Sequence, residues 1–459
     1  MTERPELTAA VAHAQRWLDS LADRRVPASV DAATLASRLP QGIPEKGRTP
    51  LEVTDQLVEH VEPGLMAGPS GRFFGWVMGG TLPAALAADW LVSAWDQNSG
   101  MRDATPGVIS IEDAAGRWLL DALDLPRGAA VGFVTGATMA NFTGLAAGRD
   151  AVLAARGWDV AHSGLSGAPR VRVIAGAERH SSVDMALRYL GLGEPELVAS
   201  DEQGRLDADA LRAALAGTDG PTIVALQAGN VHSGSFDPFR EAIAAAHEAG
   251  AWVHVDGAFG LWAAATPSLA ALTDGMSGAD SWATDAHKTL NTPYDCGVAI
   301  IADPAAATRA FSHHAEYLID AAVPDPHEFV PELSRRARGV PVWAALASLG
   351  REGVIDLVDG LVASARGIAE GVAALPGATI VNDVVYTQVC IAFEDDTTTT
   401  AVYDAIIAEG EIFPSPSRWR DRAVIRTSVS NWQTHEAEVT TTVAAFERAA
   451  AKVRGALVR

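Results

Sequence analysis

Cysteine is nearly absent from this chain, which has only Cys296 and Cys390 in 459 residues. Two thiols make neither a disulfide framework nor a metal-ligand cluster, so a reducing compartment is expected, with both cysteines acting as packing residues. Positive charge is also short. Lys and Arg number 35 against 57 Asp and Glu, for a formal net charge of −22. That balance excludes nucleic acid and anionic membrane surfaces as partners, because both are polyanions. No stretch approaches the ~18 consecutive apolar residues of a membrane helix. The amino-terminal MTERPELTAAVAHAQRWLDS lacks a basic segment followed by an apolar run, so no export signal is read there and a cytoplasmic location is expected.

What the chain does have is hydrophobic bulk arranged in alternation. A hydrophobic fraction of 48% suits a well-buried globular protein, and the length suggests two or three domains. Residues 1–78 show helical spacing of apolar positions interrupted by PQGIPEKGRTP and PGLMAGPSG, and read as an amino-terminal helical arm. From 79 to 345, the short apolar runs AAVGFVTG, RVRVIAG, TIVALQAG, AWVHVDG and GVAIIAD alternate with helix-length amphipathic sequence. This predicts an α/β domain, with a parallel or mostly parallel sheet between helices. From 346 to 459 a long Ala-rich helix, the strands TQVCIAFED and AVIRTSVSN, and the final helix EAEVTTTVAAFERAAAKV make a smaller α+β domain. The TTTT run at 397–400 begins the helix AVYDAIIAEG.

Lys288 lies in SWATDAHKTLNTPYDCGVAI, just past an apolar strand and directly after His287. Ligands of open α/β sheets sit at such strand ends. A lysine amine can close a Schiff base onto an aldehyde cofactor. Asp256 closes the apolar run WVHVD, and a carboxylate buried there needs a cation or a donor. The protonated pyridine nitrogen of pyridoxal phosphate is such a cation, while capping of a turn is the alternative for an aspartate alone. GFVTGATMANFTGLAAGRD reads as strand, small-residue turn and helix. Gly136, Ala137 and Thr138 then offer N–H groups and a hydroxyl to a phosphate. Asn141 serves that phosphate or caps the helix. In RVIAGAERHSSVDMALRYLG, His180 begins a helix after a strand. Its imidazole either lies over the cofactor ring, in reach of the substrate carboxylate, or simply starts the helix. Four such segments, each at a strand carboxyl end, point together to one pyridoxal phosphate site.

With these motifs the chain resembles the group II pyridoxal phosphate decarboxylases, the family of aromatic-L-amino-acid, glutamate and histidine-type decarboxylases. The likeness runs from about FFGWVMGGTLPAALAADWL to RTSVSNWQT. It implies the aspartate aminotransferase fold, pyridoxal-phosphate fold type I with a seven-stranded, mostly parallel sheet, and pyridoxal 5'-phosphate as the cofactor. By the same resemblance Lys288 bonds the cofactor, Asp256 meets its pyridine nitrogen, His180 stacks on its ring, and His287 and Thr138 face its phosphate. Tyr317, in FSHHAEYLIDAAVPDPH, stands where the family has a loop tyrosine that acts in protonation. The reaction so implied is decarboxylation of an L-amino acid, in which Tyr317 returns a proton to Cα while the loop shuts out solvent.

Other positions follow from the resemblance. Ser334 and Arg335, in SRRARGVPVWAALASLG, match the segment that reaches the partner subunit's phosphate, which implies a homodimer with a shared site. In GNVHSGSF, Asn230 falls near the cofactor oxygen or the substrate carboxylate, whereas His232 departs from the family pattern and its role stays open. Asp285 replaces the asparagine that some relatives use beside the phosphate. Trp76 and Met78, in FFGWVMGG, line the expected substrate pocket, with Gly79 and Gly80 leaving space. Arg426, in VIRTSVSN, either grips a substrate carboxylate, as in many aminotransferases, or pairs with an acid. An aminotransferase, or a retro-aldol or carbon–sulfur lyase, is the alternative on the same cofactor, because the fold does not fix which Cα bond breaks. A non-catalytic paralogue is a third reading, against which the intact Lys288 and Asp256 argue. Nothing in the chain names the amino acid.

Overall fold

The computed structural model describes residues 4–217, 219–313 and 323–457. The apolar runs become strands β1 (Ala130–Val134), β2 (Arg172–Gly176), β3 (Glu196–Val198), β4 (Thr222–Gln227), β5 (Trp252–Asp256), β6 (Ser281–Asp285) and β7 (Gly297–Ile301). They form one sheet in the order β1-β7-β6-β5-β4-β2-β3. Strands β2 to β6 pair in parallel, and β7 runs antiparallel to both β6 and β1. Every residue of β5, β6 and β7 is buried, as befits strands covered on both faces. The expected seven-stranded, mostly parallel sheet is therefore present. Strand β3, with the sequence ELV and two exposed residues, carries no apolar run to announce it.

Helix Ala137–Ala154 lies across β5, β6 and β7, and two glycines set how closely. A Cβ on Gly144 would stand 2.6 Å from the His254 ring, and one on Gly148 would stand 2.7 Å from the Trp252 ring. Glycine inside a helix costs about 1 kcal/mol against alanine. Here only a hydrogen fits beneath the rings.

Strands β8 (Thr379–Ile380), β9 (Gln388–Ala392), β10 (Ser415–Trp419) and β11 (Arg422–Ser428) form a second, antiparallel sheet in the order β10-β11-β9-β8. Helices Asp396–Glu409 and Glu436–Leu457 cover it. The first opens on the TTTT run, with Asp395 accepting the Thr398 N–H as its cap. The long helix Gly339–Ala373 joins the two sheets and is interrupted at Gly350, whose φ of 63° suits only glycine readily. Its Val354, Val358 and Val362 pack in the core of the large sheet, while Leu361, Ala365 and Ile368 pack in that of the small one. The boundary expected at 345/346 falls shortly before the break at Gly350, and the part of the helix after that break is the one that both cores share.

The amino-terminal segment holds helices Pro5–Asp19 and Pro50–Val61. It is seated on the small domain by cations at carbonyls. Arg25 donates to the carbonyls of Ile407, Ala408 and Glu409, which end a helix and have no partners within it. Phe74 enters the small-domain core. Among the described residues no helix is long and apolar enough to cross a membrane. Cys296 and Cys390 are both free and buried.

Candidate active site

A cavity of about 420 Å³ opens where the carboxyl ends of β4, β5 and β6 meet the start of helix Ala137–Ala154. Lys288, Asp256, His180, Gly136, Ala137 and Thr138 all line it, so the expected cofactor motifs converge. Lysine scarcity is a further signal that sequence reasoning passed over. The other two lysines in the chain, Lys46 and Lys452, are exposed.

The Lys288 amine lies 2.9 Å from Asp285 Oδ2. The other oxygen of Asp285 accepts the Ala137 N–H at 2.6 Å. This carboxylate therefore occupies the amino end of a helix, where an anion is favoured, and takes one of the N–H groups expected to face the phosphate. His287 sits 3.6 Å from Asp285 and accepts the Cys296 N–H through Nδ1 at 3.0 Å. Burial lowers its pKa, with the Asp285 charge opposing. Tyr294 stacks on the His287 ring at 4.1 Å and lines the cavity. It too was missed, although it lies within the same motif as the lysine.

Asp256 is buried at the end of β5. Its Oδ2 accepts from Asn141 at 3.0 Å and from Ser182 Oγ at 3.3 Å, and its Oδ1 from the Ala258 N–H at 3.2 Å. Asn141 is thus bonded behind Asp256 and is not part of the cavity wall; it neither faces a phosphate nor caps the helix. His180 shows the helix-start role and stands at the cavity as well. It caps helix Ser181–Tyr189 by accepting the Ser182 N–H at Nδ1, and it also lines the cavity.

Several expectations need correction. Asn230 spends its side chain on a turn, accepting from the N–H groups of His232 and Ser233 and donating to the Glu178 carbonyl. It is not among the residues that line the cavity. The His232 ring stacks on Trp419 and meets Ser417 Oγ at 2.9 Å, behind the wall formed by Val231. Gly79 and Gly80 leave no free space: a Cβ on Gly79 would lie 2.1 Å from the Lys288 carbonyl, and one on Gly80 2.6 Å from Asn431. They let the Trp76–Met78 segment approach the lysine backbone, and Trp76 and Met78 do line the cavity. Ser334 is exposed outside the cavity of its own chain, which does not bear on the contact expected with a partner subunit. Arg335 is bound in a buried pair with Glu112 at 2.7 Å, so its guanidinium is committed within its own chain. Tyr317 lies outside the described residues.

Arg426 lines the cavity from β11. Among the described residues it pairs with no acid, contrary to one of its two readings, and donates instead to the carbonyls of Val231 at 2.6 Å and Trp76 at 3.2 Å. Its Nε and the Gln227 Oε1 are buried polar atoms of the cavity wall without a partner. Such atoms call for a ligand that supplies hydrogen bonds. A lysine amine, a buried carboxylate, a helix amino end and an imidazole around one cavity are the groups that a phosphorylated pyridine aldehyde requires, and the residues present fit pyridoxal phosphate.

Comparison with known proteins agrees with that chemistry. A sequence model described as the pyridoxal-dependent decarboxylase conserved domain matches residues 33–394. The aromatic-L-amino-acid decarboxylase of Bacillus atrophaeus is 28% identical over 72% of this chain and 69% of that enzyme. Tryptophan decarboxylase 1 of Oryza sativa subsp. japonica is 30% identical over 66% of this chain and 63% of its own length, so the match spans a little under two thirds of that relative. Among solved structures, Oryza sativa TDC with PLP and tryptamine has a TM-score of 0.90 at 23% identity, over 98% of this chain and 97% of that one. Mouse CSAD has a TM-score of 0.86 at 20% identity, over 96% and 99%. At those identities the structural likeness carries the fold, that of the pyridoxal-phosphate enzymes of type I. From the family match and the cavity together, the chain belongs to the pyridoxal-dependent decarboxylase family and is a pyridoxal-phosphate-dependent amino-acid decarboxylase.

Proposed function

We propose that the protein removes the carboxylate of an L-amino acid as CO₂ and leaves the amine, with each residue of the cavity in a distinct role. What supports this is the match to the pyridoxal-dependent decarboxylase conserved domain, joined to the presence of Lys288 and the buried Asp256 in the wall of one cavity at adjacent strand ends. When bound, pyridoxal phosphate draws electrons from Cα into its ring, which weakens the bonds to that carbon. Lys288 holds the cofactor, and Asp256 keeps a proton on the pyridine nitrogen. Thr138 and His287 serve the phosphate, and His180 covers the ring. The apolar walls of Val77, Met78, Val231 and Phe259 keep water from the carboxylate, which raises its energy relative to neutral CO₂. Arg426 receives an anionic group of the substrate. Tyr317 delivers the proton to Cα.

A homodimer is part of the proposal. Helix Pro83–Trp95 leaves Leu91 and Trp95, four residues apart and so on one face, about half exposed. Clustered apolar surface of that kind marks an interface. A cytoplasmic location completes the reading, on the grounds of the two free cysteines and the acidic charge.

The test is turnover of a panel of L-amino acids by the holoenzyme, with CO₂, amine and keto acid all measured. CO₂ and amine in equal amounts are expected, together with loss of both activity and the yellow absorbance in Lys288→Ala. Keto acid without CO₂ would instead identify transamination.

A further inference from the structure

Behind Asp256, on the side away from the cavity, buried side chains form a continuous line of hydrogen bonds. It starts at Trp252, whose indole nitrogen can only donate and lies 3.0 Å from Ser281 Oγ. The Ser281 hydroxyl then gives its own proton to His254 Nδ1 at 2.9 Å. With Nδ1 accepting, a neutral imidazole carries its hydrogen on Nε2, which lies 2.9 Å from Asn141 Oδ1. The amide nitrogen of Asn141 consequently turns to Asp256 Oδ2 at 3.0 Å. A group that cannot accept stands at one end and a carboxylate that cannot donate at the other. The carboxylate sets the directions: Asp256 takes the Asn141 N–H, Asn141 Oδ1 therefore accepts from Nε2, and a neutral imidazole is left to accept from Ser281 at Nδ1.

Two further observations show that the line is built in. Asn141, His254 and Ser281 have no exposed surface, and burial brings the His254 pKa down to about 4, with the Asp256 charge opposing, so the imidazole stays neutral near neutral pH. Gly144 and Gly148 of helix Ala137–Ala154 lie directly against the His254 and Trp252 rings, where no Cβ fits. The helix gives up propensity at two positions to admit these rings. A fully satisfied buried network of this kind holds its members in one arrangement.

We propose that His254 is a positioning residue for the reaction: its fixed tautomer makes Asn141 present an N–H to Asp256, which holds that carboxylate in the orientation that meets the pyridine nitrogen. The inference rests on the role given to Asp256 above. Removing Nε2–H, or freeing the tautomer, lets the Asn141 amide turn its oxygen toward the carboxylate. Asp256 then keeps Ser182 Oγ and the Ala258 N–H but loses the shorter of its two side-chain donors, and with it part of its aim.

The experiment is ¹⁵N NMR of holoenzyme reconstituted with pyridoxal phosphate labelled at the ring nitrogen, alongside titration of the cofactor into apoenzyme. The wild type is expected to give the signal of a protonated ring. His254→Phe keeps the ring volume but loses both hydrogen bonds, and should shift the signal toward the unprotonated value and weaken cofactor affinity about tenfold, which is about 1.4 kcal/mol. His254→Gln, whose amide can accept from Ser281 and donate to Asn141, should restore both readings. Ser281→Ala, a smaller change, should shift the signal in the same direction. A wild-type signal in His254→Phe, or in Ser281→Ala should the former not fold, overturns the proposal, as does failure of His254→Gln to restore it. Asp256→Asn separates the two levels of the argument. If that variant alone moves the signal, Asp256 keeps its role and His254 does not; if even that variant leaves it unmoved, the role of Asp256 itself is wrong.

Discussion

Arg426 is a buried cation whose bonds among the described residues go to carbonyl oxygens. Burial lowers its pKa, with Cys390 acting the other way, and its Nε faces no acceptor. A substrate anion would supply the missing charge, and hydrogen bonds to charged groups contribute about 1.5–3 kcal/mol. Arg426→Met should therefore raise KM for the amino acid by at least about tenfold, with a smaller change in kcat. An unchanged KM would remove Arg426 from the substrate site. Inhibition by the amine product tells which anion is held. The amine lacks the α-carboxylate, so equal inhibition of both forms assigns Arg426 to that group, and weaker inhibition of the variant assigns it to an acid on the side chain. Lys288, Asp256 and Gly136 were legible in the sequence because each closes an apolar run, and a strand end is a local signal. The partners of Arg426 were not. Val231 and Trp76 come from distant parts of the chain, and no spacing rule connects them.

At the scale of single elements, helix Ala137–Ala154 shows packing overriding propensity. Gly→Ala inside an exposed helix normally stabilises by about 0.5–1 kcal/mol. Gly360 of helix Gly339–Ala373 is exposed with open space around its would-be Cβ, and Gly360→Ala should give that gain. Gly144→Ala places a methyl against the His254 ring and should destabilise by about 1–3 kcal/mol. Urea unfolding of the two variants should thus show opposite signs; a gain in both would mean the ring yields easily. The GNVHSGSF turn carries a related lesson. Asn230 and His232 stand in a sequence context that suggested a cofactor contact, but the turn consumes one side chain and Trp419 and Ser417 hold the other. Residue type announces what a group can bind, and only the fold decides what it meets.

For the molecule as a whole, the fold class was readable because alternating apolar and amphipathic segments leave few arrangements for a buried sheet. The hand-over between the two cores was harder to see, since it falls within the helical turns after Gly350, where the pattern has no break. Stability should depend on acidity through buried groups. Burial lowers His254 to about 4, and burial together with Arg426 and His180 lowers His232 to about 4. Between pH 6.5 and 4 the unfolded chain binds these protons and the folded one does not, so stability falls as pH falls, by about 1.4 kcal/mol per unit for each histidine. Asp237, raised to about 6 by burial, works oppositely: below pH 6 its folded form takes the proton first and offsets one histidine. The net loss expected between pH 7 and pH 5 is on the order of 2 kcal/mol. Urea unfolding at the two pH values measures it, and a flat or rising stability would contradict these assignments.

Helix Gly339–Ala373 gives the two sheets a common girder. Its stretch from Val354 to Ile368 passes from the large core into the small one without a break in its helical turns, and Gly350 lies before that stretch. A swing of the small domain would have to bend that helical stretch, which contains no proline. Lys288 beside the large sheet and Arg426 on the small one thus line one cavity from two sheets joined through that stretch, and the gap between lysine and guanidinium follows from how the helix seats the two cores. A substrate of the wrong length would meet a fixed gauge, so the span of that gap becomes a measuring device for the amino acid.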